Sequence, residues 1–151
     1  MLVAVAAAMG GWVIATAGSA STERVRAYGA DVVLDYHEPN WQSEVQHLTG
    51  GVRVAVNAVR GAAESVIPVI VDGGRVATIT GDPPTSVRHI QVRNMYVSPN
   101  GSDLEQVAKG FVQRGLTIPV TSVYSLLEAG DALSQVVSGG SVGGVVIDPR
   151  R

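Results

Sequence analysis

The sequence predicts an α/β fold, a parallel sheet with flanking helices. Short β-branched runs alternate with helix-length segments, and glycines punctuate almost every junction. The strand candidates are continuously apolar rather than alternating, as strands buried on both faces are. A chain of 151 residues can bury a sizeable core, and 46% hydrophobic against 16% charged residues suits such a sheet.

In order, WVIATA (12–17) is the first strand candidate, closed by Gly18. STERVRAYGA follows as a helix, with Ser21 and Thr22 as cap candidates and Gly29 at its end. DVVLDY (31–36) is the next strand. A helix entered near Pro39 is stopped by Gly50-Gly51, and VRVAVNAV (52–59) is the third strand. GAAESVIPVIVDGG (61–74) reads as a helix carrying a proline, and RVATIT (75–80) as the fourth strand, closed by Gly81. This β-α-β rhythm with short turns implies parallel strands joined by crossover helices. Asp82, beside Pro83-Pro84, reads as a turn residue.

Beyond that turn, RHIQVRNMYVSPNG holds an extended segment. SDLEQVAKGFVQRGL is a helix with Ser102 as cap and Glu105 at the capping-box position. TIPVTSVYSL is extended, LEAGDALSQVVSGG is a helix stopped by Gly139-Gly140, and SVGGVVIDP is a final strand.

Composition excludes several function classes. A net charge of -2, with Lys109 the only lysine and the arginines scattered, gives no basic field for nucleic acid. Without cysteine there is neither a disulfide framework nor a cysteine zinc site. His37, His47 and His89 are not spaced as a ligand cluster, so no zinc or other metal is expected. Residues 1–21 carry no charge and admit three readings. As a signal peptide they lack a basic start; as a membrane span they are interrupted at Gly10-Gly11. The third reading is a helix remnant, a Gly-Gly turn and the strand 12–17.

Three pieces in order carry a resemblance: GGWVIATAGSASTERVRAYGADVVLDY, then VRVAVNAVRG with VIVDGGRVATITG, then LEAGDALSQVVSGGSVGGVVIDP. Together they resemble the nucleotide-binding portion of the medium-chain dehydrogenase/reductase superfamily, nearest its zinc-independent quinone oxidoreductase branch. The likeness runs from about residue 2 to the C-terminus. Gly143-Gly144 departs from the Gly-Lys usual before the last strand. The resemblance implies a Rossmann-like sheet truncated at its N-terminus, lacking the first strand and the Gly-rich loop that binds a pyrophosphate. LVAVAAAM then stands where the helix after that loop belongs. Residues 1–97 become a partial nucleotide-binding region, and 98–151 an α/β tail that in relatives packs partly on the catalytic domain.

Strand order 3-2-1-4-5-6 puts the missing strand at the centre, leaving two exposed inner edges. Three repairs are open: closure of the gap, recruitment of LVAVAA as a strand, or dimerisation. Alanine favours helix there and valine favours strand.

For the cofactor, the second Rossmann strand usually ends in an acid that binds the ribose 2′-hydroxyl, and ATAGS has none. Ser19, Ser21 and Arg24 instead suit the 2′-phosphate of NADPH, or else simply start a helix with a solvated arginine. By resemblance Tyr36 lies against the adenosine end, with a half-buried edge aromatic as the plain alternative. Asn57, Ala58 and Val59 line the cofactor path, and Thr80 and Gly81 lie near the nicotinamide half; ordinary turn chemistry is the alternative at each. No nucleophile elbow or acid–base pair is present, and no catalytic residue is nominated.

The expectation is a partial NADPH-dependent oxidoreductase of the quinone oxidoreductase and zinc-type alcohol dehydrogenase kind, cytoplasmic and homo-oligomeric, with no membrane or nucleic-acid partner. A small-molecule substrate is expected only where a catalytic domain is supplied. The alternatives are a non-catalytic nucleotide-binding or dimerisation module, and a secreted protein whose first residues are removed.

Overall fold

The β-branched runs all become strands, most of them shorter than the run that predicts them. The computed structural model describes residues 2–139 and 143–151, in two units, 2–100 and 101–151. In the first unit, β1 (Ile14–Thr16) and β2 (Val32–Leu34) pair in parallel, with Ile14 opposite Val32. A 3-10 turn at Ser19–Ser21 and helix α2 (Thr22–Ala27) connect them. Gly29 lies just past α2 with φ +94, and a Cβ there would stand 2.7 Å from the Cβ of Ala7. Only glycine allows both that backbone and that approach.

Helix α3 (Trp41–Thr49) carries the chain from β2 to β3 (Val52–Asn57). Strands β3, β4 (Ile70–Thr78) and β5 (Gln91–Asn94) form a parallel sheet in that order. The helix expected over 61–74 is a 3-10 stretch, Ala63–Val69, and the strand expected at 75 begins at Ile70. Pro68 lacks an N–H and fixes φ, and the β-branched Val69, Ile70 and Val71 favour extension, so an α-helix has nothing to propagate on.

One apolar cluster holds the unit. Leu34 of β2, Val45 of α3, Ile67 and Val69 of the 3-10 stretch, Ile70 and Val76 of β4, and Ile90 are buried together. Burying one such side chain is worth about 1.5–3 kcal/mol.

The central gap is present. β1–β2 and β3–β4–β5 are separate sheets with no ladder between them. Residues 2–8 are not recruited as a strand but form helix α1 (Leu2–Ala8), its Ala4 buried. β3 keeps an open edge, and on its outer face Val54 and Val56 are 60% and 46% exposed.

In the second unit, α4 (Gly101–Gln113) begins before Ser102, so Ser102 is helical and not the expected cap; Glu105 instead pairs with Lys109 at 2.6 Å. Strands β6 (Val120–Ser125) and β7 (Gly144–Asp148) run parallel, joined through α5 (Ala129–Ser138). Gln135 of α5 accepts from the Tyr124 hydroxyl at 2.9 Å and donates to the Ser122 hydroxyl at 3.1 Å, fastening α5 to β6. Glu128 accepts from both the N–H and the hydroxyl of Ser125, each at 2.8 Å. Gly139 ends α5 as expected; Gly140, Ser141 and Val142 lie outside the described residues.

The β3–β4 register turns on Gly74. A Cβ there would meet Ile70 Cγ2 at 2.5 Å, the Val71 carbonyl oxygen at 2.9 Å and that of Arg53 at 3.0 Å. At Gly73 a Cβ meets nothing within 4 Å, but φ is +70. Gly73→Ala should cost about 1–2 kcal/mol from backbone strain, and Gly74→Ala more, since backbone must move. Urea unfolding read by fluorescence of Trp12 and Trp41, both in this unit, ranks the two; a smaller loss at Gly74 would show that the bulge relaxes.

Candidate nucleotide site

Polar side chains gather where the apolar strands end. Asn57 closes β3, Thr78 closes β4 and Asn94 closes β5, and they are neighbours in register across the sheet. Asn57 is 5% exposed and Thr78 is fully buried. Buried polar groups left unpaired cost about 1–3 kcal/mol each, so such a row must be hydrogen-bonded. Asn57 Nδ2 donates to the Val59 carbonyl at 3.0 Å and to the hydroxyls of Thr78 and Thr80, each at 3.2 Å. Its Oδ1 accepts from the Val59 N–H at 3.2 Å, and the two threonine hydroxyls lie 2.8 Å apart. Asn94 Nδ2 donates to the Tyr96 hydroxyl at 2.7 Å, while its Oδ1 is buried with no hydrogen-bond partner.

Asp82 joins this network. The Thr80 hydroxyl donates to its Oδ1 and the Gly61 N–H donates to its Oδ2, the latter at 2.5 Å. These two bonds, the threonine's foremost, hold the Asp82 carboxyl below the usual aspartate range. Reading Asp82 as a plain turn residue undervalued it: one carboxylate ties the turn after β3 to the turn after β4.

A second group forms where β1 and β2 end. Beyond buried Ala17 the chain turns at Gly18 into the 3-10 turn. Arg24 Nη2 donates to Ser21 Oγ at 3.0 Å, three residues apart on one helical face. Ser21 makes no side-chain capping bond, so its hydroxyl serves the guanidinium rather than the helix start. Ser19 is exposed. Tyr36, 54% exposed, lies against His37 with ring centroids 4.1 Å apart. Both rings overhang Gly18: a Cβ added there would stand 3.3 Å from His37 Cε1 and 3.5 Å from the Tyr36 hydroxyl. Asp35 accepts from the His37 N–H at 2.9 Å and faces its Nδ1 at 2.7 Å, and these bonds, the backbone one foremost, hold its carboxyl low.

The structure thus joins Ser21 to Arg24, sets Tyr36 over the residue preceding Ser19, and links Asn57, Val59 and Thr80. Ala58 is exposed on the same turn as Val59. Gly81, at φ +79, has nothing within 4 Å of where a Cβ would stand, leaving space beside Thr80. Thr78 and Asn94 escaped the sequence reading; polar residues closing apolar runs would have been the signal. The described residues contain no group of three His, Cys, Asp or Glu that could hold a metal ion. An open depression of about 380 Å³, lined by Arg53, Asp72 and Arg75 among others, lies at the opposite end of β3 and β4 and takes no part in the cluster.

Residues 28–147 match a family described as zinc-binding dehydrogenase. The chain is 28% identical over 141 residues to an NADPH-dependent alkenal/one oxidoreductase of Arabidopsis thaliana chloroplasts, covering 91% of this chain and 33% of that protein. It is 26% identical over 147 residues to a chloroplast envelope quinone oxidoreductase homolog of the same plant, covering 45% of it. A solved NAD-dependent alcohol dehydrogenase superposes with TM-score 0.79 at 29% identity, over 97% of this chain and 46% of that one. The chain therefore spans between a third and a half of the length of these relatives. The superposition identifies the described strands and helices as the Rossmann-like nucleotide-binding fold. No helix of the described residues is long and apolar enough to cross a membrane.

The Asp82 clamp has a pH signature. Its folded pKa lies below the unfolded value of about 3.9, so its contribution to stability is complete above that value and is lost as pH falls through the folded one. Thr80→Val removes the largest cause and should bring the carboxyl back up toward about 3.9, as read by carbon-13 NMR of the side-chain carboxyl. An unmoved titration would mean that Thr80 does not hold Asp82.

Proposed function

The chain belongs to the zinc-binding dehydrogenase family, and from that premise we propose that it is the nucleotide-binding portion of an NADPH-dependent oxidoreductase of the quinone oxidoreductase kind. The observation that carries the reading is the gathering of polar groups at the ends of parallel strands, where open α/β sheets bind dinucleotides.

The residues present fit the cofactor on three counts. β1 runs into Ala17-Gly18 without an acid, and the Ser21–Arg24 pair stands beside it, a hydroxyl and a guanidinium suited to a ribose 2′-phosphate. Tyr36 offers an aromatic face at the same end for an adenosine. At the far group, Asn94 Oδ1 is a buried acceptor without a donor, and Gly81 leaves open space beside Thr80. In this reading Ser19, Ser21, Arg24 and Tyr36 hold the adenosine 2′-phosphate half. Asn57, Ala58, Val59, Thr80 and Gly81 line the path of the nicotinamide half.

The chemistry NADPH supplies when bound is transfer of a hydride from nicotinamide C4 to an unsaturated carbonyl or quinone. This chain's own part is binding and orientation: the hydrogen-bonded Asn57–Thr78–Thr80 row fixes the turns on which the dinucleotide rests. The relatives named for alkenal/one and quinone reduction support the substrate class. The chain matches less than half of their length, and we place the substrate pocket in the part it does not match. No metal role is assigned to His37, His47 or His89.

Calorimetric titration tests this. NADPH should bind more tightly than NADH. Arg24→Ala should weaken NADPH about tenfold or more, the scale of one charge-assisted contact of about 1.5–3 kcal/mol, and leave NADH within about twofold. Equal losses for both would overturn the 2′-phosphate assignment, and absence of binding for both in the unaltered chain would overturn the cofactor reading itself.

A further inference from the structure

We propose that Asp82 is a positioning residue for the nicotinamide half of the cofactor, acting through the Thr80 hydroxyl and the Gly61 N–H. The inference rests on the cofactor reading above and extends it to a residue outside the predicted set. Its ground is connectivity. Gly61 ends the turn that leaves β3 through Asn57, Ala58 and Val59; Thr80 and Gly81 form the turn that leaves β4. Asn57 reaches across from the first turn to Thr80 on the second. Asp82 reaches back from the second turn to Gly61 on the first. The two turns are thus laced twice, in opposite directions, and the Thr80–Asp82 bond joins the two lacings.

The hydroxyl of Thr80 has one proton to donate, and it donates it to Asp82 Oδ1. That leaves the oxygen's lone pairs to accept from the Asn57 amide and the Thr78 hydroxyl, so the carboxylate decides which way Thr80 points its donor. Without Asp82 the hydroxyl is free to turn toward Thr78, 2.8 Å away, and the Gly61 N–H loses its acceptor. The turns are then held together by the Asn57–Thr80 bond alone and loosen, while β3 and β4, held by their own ladder, stay paired. Gly81, between Thr80 and Asp82 with open space around it, is the residue most displaced by that release.

The consequence is a split between the two halves of the ligand, because Ser21, Arg24 and Tyr36 stand where β1 and β2 end, on a sheet separate from β3–β4–β5. Calorimetry with NADPH and with 2′,5′-ADP, which carries only the adenosine 2′-phosphate half, reads it directly. Asp82→Ala should weaken NADPH about tenfold and leave 2′,5′-ADP within about twofold. The shift of bound NADPH fluorescence should fall back toward that of free NADPH. Asp82→Asn, which keeps an acceptor for Gly61 but alters the partner of Thr80, should show the same split at smaller size and serves where the alanine variant does not fold. Equal weakening of both ligands, or no change in either, overturns the positioning role while the cofactor reading stands. If the unaltered chain binds neither ligand, the cofactor reading falls and the role of Asp82 falls with it.

Discussion

The structure depends on side-chain packing across a gap that no backbone hydrogen bond spans. β1–β2 and β3–β4–β5 share no ladder, yet Leu34 of the first sheet is buried in one cluster with Ile70 and Val76 of the second. Val45, on the helix that joins them, is buried in the same cluster. Hydrogen-bonded sheets fix spacing at about 4.8 Å between strands; here the spacing between the two groups of strand ends is set by how these apolar side chains interlock. The residues proposed for the adenosine half stand at the end of one sheet and those proposed for the nicotinamide half at the end of the other. Core packing therefore sets the geometry of the site, and open edges at β1 and β3 accompany it.

The two groups differ in how they are held. Ser21 and Arg24 meet through an i, i+3 relation on a short helix, a local contact that survives wherever α2 forms. Asn57, Thr78, Thr80 and Asp82 meet through bonds between residues up to 23 apart in sequence. Those bonds exist only when β3 and β4 are paired in one register. Ser21 and Arg24 are half-buried and bonded locally; in the second group Asn57 and Thr78 are buried, Thr80 and Asp82 half-buried, and their polar groups are satisfied mostly by one another. Ligand parts resting on the two should respond differently to destabilisation.

That difference also explains what the sequence reveals. β-branched runs announced the strands and glycines the ends of α2, α3 and α5; the bond of Arg24 to Ser21 was not announced, although their i, i+3 spacing allows it. The segment 2–8 was balanced between alanine and valine, and helix won where Ala4 and Ala7 pack closely. The helix expected over 61–74 failed because its first residues, GAAES, are helical in composition while Pro68 and the β-branched residues after it are not. The capping box expected at Ser102 failed because the helix starts a residue earlier, whereas Ser125 and Glu128 form such a pair unannounced. Asp82 was illegible for a different reason. Half of its role belongs to Gly61, 21 residues away, and no local pattern encodes that contact.

The register of β3 against β4 carries the longest chain of consequence. Val52 faces the core, and strict alternation from it would turn Val54 and Val56 inward and Asn57 out to solvent. The observed pairing steps from Val52 opposite Ile70 to Val54 opposite Arg75, two residues on one strand against five on the other. That irregularity reverses the parity, so Val54 and Val56 face out while Ala55 and Asn57 face in beside Val76 and Thr78. It is possible only because Gly74 lets the Arg53 and Val71 carbonyls close on its Cα with no side chain between. Two exposed valines are the cost of bringing one asparagine inward. A glycine in the middle of β4 thus determines which face the polar row occupies at the strands' end.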